Sequence, residues 1–95
     1  MKTFYIEKVQ DTLNGHKVIV GAATNNKYET YGVRQLKSES LRSSISDKND
    51  GIEEFATEAE LLARVEPFIA NTENAKTLNN FLNDRREYLK GVKNV

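Results

Sequence analysis

The stretch Val9-Gln10-Asp11-Thr12-Leu13-Asn14-Gly15-His16-Lys17-Val18-Ile19-Val20 decides the fold of this chain. Asn14-Gly15 is a strong hairpin signal, because a type I′ turn needs positive φ at both central positions and these two residues tolerate it. On either side, Thr3 to Val9 and Lys17 to Thr24 are rich in β-branched and aromatic side chains, which suit strands. A two-residue turn here sets Leu13 opposite His16 and Val9 opposite Val20. Asn25-Asn26 is a second turn candidate, since Asn accepts the left-handed region. It returns the chain along Lys27 to Gln35, with Val20 opposite Tyr31 and Val18 opposite Val33.

Side chains alternate across a strand, so this register sorts them into two faces. One face holds Tyr5, Val9, Val18, Val20, Ala22, Tyr31 and Val33. The other holds Phe4, Ile6, Ile19, Ala23, Tyr28 and Thr30. The first is the more apolar and is expected to lie against the helices. The second is expected to remain uncovered, and Phe4, Ile6, Ile19 and Tyr28 become candidates for contact with a partner.

The last third of the sequence is helical. Thr57-Glu58-Ala59-Glu60 is a capping box, followed by an apolar stripe of Leu61, Leu62 and Val65. Pro67 ends or kinks that helix near Glu66, because proline lacks an amide donor and restricts the residue before it. A final helix is expected from Asn71 or Thr72 to Lys90, with Gly91 as its stop. Its stripe is Leu78, Phe81, Leu82, Tyr88 and Leu89. Between sheet and helices, Leu36 to Gly51 admits a short helix with Leu41 and Ile45 on one side, or a strand bearing Leu41, Ser43 and Ile45. Five serines between Ser38 and Ser46 weigh against the helix, since serine prefers caps and turns. The expected architecture is a single α+β domain over residues 1–95, a three-stranded antiparallel meander packed on two or three helices.

Ninety-five residues with 38% hydrophobic and 29% charged side chains support one core. Fourteen basic and fourteen acidic residues cancel, which removes the electrostatic argument for non-specific nucleic-acid binding and mildly favours self-association. The sequence has no cysteine, so thiolate catalysis and thiolate metal sites are excluded, and a reducing cytoplasmic setting is the expectation. No apolar run approaches membrane-spanning length, and the acid at Glu7 interrupts the pattern of a signal peptide.

Chemistry-bearing residues are sparse. His16 is the one histidine and reads as a turn residue. The serine cluster has no base beside it. Asp47-Lys48-Asn49-Asp50-Gly51 fails the spacing of a calcium loop in either register, and reads as a turn. Glu53, Glu54, Glu58 and Glu60 suit the first turn of a helix better than an acid–base pair. Gly21, within Val20-Gly21-Ala22-Ala23, reads as a packing position rather than a phosphate loop. Arg85-Arg86 is the notable pair: Arg85 falls on the apolar stripe, seven residues after Leu78, where a guanidinium can hold an anion, a nucleotide phosphate or a partner carboxylate. The bland alternative is a snorkelling arginine paired with Asp84 or a neighbouring acid.

The sequence thus favours a non-enzymatic module, without cofactor or metal, that binds a protein partner or a second copy of itself through Phe4, Ile6, Ile19 and Tyr28, or through Arg85 and Arg86. Compact motif-free domains of this character occur among phage accessory proteins that block host or defence proteins, so inhibition is the expected form of modulation. The alternative is a binder of small ligands, nucleotides or single-stranded nucleic acid, drawing on sheet aromatics and basic residues.

Overall fold

In the computed structural model the described residues are 4–9, 17–24, 29–69 and 72–93. The predicted turns at Asn14-Gly15 and Asn25-Asn26, with His16 and Tyr28, lie outside them. Four strands form one antiparallel sheet: β1 (Phe4–Lys8), β2 (Lys17–Thr24), β3 (Glu29–Lys37) and β4 (Ile52–Phe55), in the order β3-β2-β1-β4. Three helices accompany it, α1 (Glu39–Ser44), α2 (Glu58–Val65) and α3 (Thr72–Lys93). The α+β class is as expected, with one strand more than the predicted three.

The strand register differs from the predicted one. Ile6 pairs with Val20 and Phe4 with Ala22, whereas a two-residue turn at Asn14-Gly15 puts Val9 opposite Val20. The shift is three residues, an odd number, so it exchanges the faces of β1 relative to β2. Phe4 and Ile6 therefore join Val18, Val20 and Ala22 in the core. Burial explains the choice: interring a Phe and an Ile contributes about 1.5–3 kcal/mol each, while the predicted pairing buries Tyr5, with its polar hydroxyl, and the smaller Val9 in their place. On the other side of β2, Val18 faces Leu36 and Val20 faces Arg34, and a bulge between Val20 and Ala22 brings Tyr31 opposite Ala22. Leu36 thus occupies the core position expected of Val33, which is 45% exposed.

One hydrophobic cluster joins that sheet face to all three helices: Leu41 and Ile45 at α1, Leu61 and Val65 of α2, and Leu78, Phe81 and Leu82 of α3. Leu62 is only partly buried at its edge. The segment after β3 settles as a helix because its serines act as caps. Ser38 Oγ accepts from Leu41 N at 3.2 Å and donates to Phe68 O at 3.2 Å, and Ser44 Oγ donates to Leu41 O at 2.6 Å. Asn49, Asp50 and Gly51 then turn the chain in the left-handed region, with φ of 55°, 60° and 73°, and deliver it into β4 beside β1. This fourth strand has little strand signature: it is four residues long and carries two adjacent glutamates.

The helix termini follow local chemistry. Thr57 Oγ1 accepts from Glu60 N at 3.2 Å, and Glu60 Oε2 accepts from Ala56 N at 3.0 Å. Pro67 stands in a single 3-10 turn, Glu66–Phe68, immediately after α2. The last helix does not stop at Gly91 but continues to Lys93. Asn74 fixes its start: buried, it accepts from Lys37 N at 3.0 Å and donates to Lys37 O at 2.8 Å. From there α3 crosses to the opposite end of the sheet, where Arg85 stands over Phe4. Tyr88, nearly a turn further on, is 42% exposed, so it is not part of the buried stripe.

Candidate functional site

Because the helices share one face of the sheet, its other face carries the side chains that alternate with the core. These are Tyr5 and Glu7 of β1, Lys17, Ile19 and Gly21 of β2, Val33, Gln35 and Lys37 of β3, and Ile52 and Glu54 of β4, as the registers require. Among the described residues no helix crosses this face, since α1, α2 and α3 all contribute to the cluster on the opposite one. Tyr5, Ile19 and Ile52 are half-buried by their neighbours and Val33 is exposed. The layout is an apolar strip with charges around it. Glu7 faces both Ile19 and Ile52 across the ladder, and Lys17 directly faces Lys37. Like charges directly opposite one another are unfavourable on a sheet.

Among the described residues this face is left uncovered, but its membership is not the predicted one. Phe4 is 3% exposed and Ile6 fully buried, so neither can meet a partner there. Ile19 does lie on it. Tyr5, Val33 and Ile52 take the remaining apolar places. A signal for Tyr5 was present in the sequence: Gly21 leaves a gap in a strand otherwise made of side chains, and the Tyr5 ring fills it. A Cβ built on Gly21 would lie 2.5 Å from Tyr5 Cζ and Oη.

The two predicted arginines separate in role. Arg86 is committed to Glu58, with Nε donating to Oε1 at 3.2 Å and Nη2 to Oε2 at 2.5 Å, and it also donates to Asn83 Oδ1 at 3.1 Å. Arg85 turns inward and stacks on Phe4, its Cζ 4.5 Å from the ring centroid. The alternative reading, a pairing of Arg85 with Asp84 or a neighbouring acid, is not seen among the described residues, where Asp84 accepts from Arg34 at 3.0 Å. Burial pushes the Arg85 guanidinium below its ordinary pKa, against a smaller opposing pull from Glu58.

The carboxylates do not assemble into an acid–base pair. Glu53 takes a bidentate bond from Arg64 at 2.7 and 2.8 Å, and the same guanidinium reaches Ser44 O and Oγ at 3.2 and 3.0 Å. This fork ties β4, α2 and α1 together. Glu58 is held by Arg86 and Glu60 by the helix cap, while Glu54 points to the uncovered face. Asp47 meets Lys8 at 2.9 Å, and that hydrogen bond holds its carboxyl below the ordinary range. An open groove lies along β4, lined by Asn49, Asp50, Ile52, Glu53, Glu54 and Phe55. No cluster of metal-ligating side chains occurs among the described residues, and no described helix is long and apolar enough to cross a membrane. Comparison with protein-family models, curated proteins and solved structures found no match to this chain.

Proposed function

We propose that this chain is a non-enzymatic protein-binding modulator whose contact surface is the uncovered face of its sheet. One observation carries the reading: Tyr5, Ile19, Val33 and Ile52 lie on the side of the sheet opposite all three helices. An apolar strip left in water is stabilised by cover at roughly 25 cal/mol per Å², and patches of this kind mark association sites. The charges around it favour protein over nucleic acid. Among the described residues Lys17 and Lys37 are offset by Glu7 and Glu54, which leaves no basic excess there for a phosphate backbone. An apolar centre with a charged rim of both signs is the make-up of a protein interface. The opposed pair Lys17 and Lys37 calls for a carboxylate from the partner, which would relieve their repulsion. Such a module acts by occupying the partner's surface, and inhibition by occlusion is the simplest outcome.

The test uses the variant pair Ile19→Glu and Val33→Glu, with Asn80→Glu on the exposed side of α3 as control. Tagged wild-type chain should retain a defined protein that both variants lose and the control keeps. Sedimentation of the same samples shows whether that protein is a second copy of the chain. Equal retention by all four proteins, each folded, contradicts the proposal.

A further inference from the structure

The chain has five arginines, and four of them have acceptors. Arg34 is bound to Asp84, Arg42 to Val9 O, Arg64 to Glu53 and Arg86 to Glu58. Arg85 alone has none among the described residues. Its Nε is sealed from solvent without a hydrogen-bond partner, while its terminal nitrogens are not sealed in this way. Among the described residues, Asp84 is engaged by Arg34, Glu58 by Arg86 and Glu87 by Lys90. The group is also held in place, because its plane rests on the Phe4 ring, a contact that orients a guanidinium while satisfying none of its donors.

A partly desolvated, oriented guanidinium with no hydrogen-bond acceptor among the described residues is what an oxyanion-binding position requires, and the pull of Glu58 on it is smaller than the effect of burial. A planar fork of N–H donors matches a carboxylate or a phosphate group, and bonds to it are strengthened where water is partly excluded. We propose that Arg85, laid on Phe4, is the seat of an oxyanion presented by a ligand. This position lies on the helical side of the sheet and does not depend on the uncovered face, so either proposal can fail without the other.

The Nε–H resonance of Arg85 reports on the position directly. Sodium acetate and sodium phosphate would be titrated separately into the labelled wild-type chain at constant ionic strength, which removes general screening. The expected result is a saturable shift of the Arg85 signal in the millimolar range, with the Arg34 and Arg86 signals moving little. Saturation by acetate alone identifies a carboxylate ligand, by phosphate alone a phosphate ligand, and by both a general oxyanion seat. As a second readout, the saturating anion should raise the melting temperature of wild type and leave that of Arg85→Met unchanged. A shift at Arg85 no larger than at Arg86, with equal melting responses in the two proteins, overturns the proposal.

Discussion

The ring of Tyr5 lies against the backbone of Gly21, in the space where any other residue would place its Cβ. The two are directly paired across β1 and β2, so the glycine's lack of a side chain is what allows the tyrosine to lie flat on the uncovered face. Alanine in a strand is otherwise favoured over glycine by about 0.5–1 kcal/mol. Gly21→Ala should nevertheless destabilise by about 1–2 kcal/mol, because the ring must swing away. In a Tyr5→Thr background the same substitution should become neutral or stabilising. Equilibrium denaturation of the four proteins in the cycle measures the coupling, and additive effects would show that ring and glycine are independent.

Asn74 holds the end of β3 as a further strand would, since its side-chain amide supplies both an acceptor and a donor to Lys37. Removing it leaves both backbone groups of Lys37 without their protein partner. Asn74→Ala should cost about 1–3 kcal/mol, against less than about 0.5 kcal/mol for Asn80→Ala on the exposed side of the same helix. Hydrogen exchange gives the sharper reading: the Lys37 amide should lose protection in the Asn74 variant and keep it in the control.

The Lys8–Asp47 pair makes a small, pH-dependent contribution. The folded carboxyl of Asp47 titrates below its ordinary range because Lys8 donates to it. Its contribution is therefore complete above the unfolded pKa of about 4 and is lost as pH falls through the folded value. Wild type should melt slightly above Asp47→Asn at about pH 6, and the gap should close towards about pH 2. Exposure of the carboxylate keeps the effect small. A gap of constant size across that range would assign the difference to something other than the ion pair.

Much of the fold was legible because some signals are local. The capping box at Thr57 and Glu60, the break at Pro67 and the apolar spacing of Leu78, Phe81 and Leu82 each depend on neighbours within a turn. Register is not local. Asn14-Gly15 predicted one alignment, and the burial of Phe4 and Ile6 with Val18 and Val20 selected another three residues away. That single shift moved Phe4 and Ile6 from the expected contact surface into the core. The fourth strand was illegible because Ile52-Glu53-Glu54-Phe55 pairs with β1 across nearly fifty residues of chain, and Glu53 is satisfied only once Arg64 arrives from α2. Arg85 was singled out by its place on the α3 stripe, but that it has no acceptor among the described residues, with Asp84 paired to Arg34, is something no helical spacing reveals.

The assignment of faces is tested most directly by comparing the thermal unfolding of Ile6→Glu and Ile19→Glu. These two isoleucines were expected to share a face, and the observed register puts them on opposite ones. Ile6 is fully buried, so a glutamate there leaves an unpaired charge in the core, which costs several kcal/mol, a large share of the stability of a domain this small. Ile19 stands on the uncovered face, where a glutamate can remain hydrated. The expected result is that Ile6→Glu is unfolded or melts far below wild type, while Ile19→Glu melts within a few degrees of it. Equal losses in the two variants, or a larger loss for Ile19→Glu, would contradict the face assignment and remove the basis for the proposed contact surface.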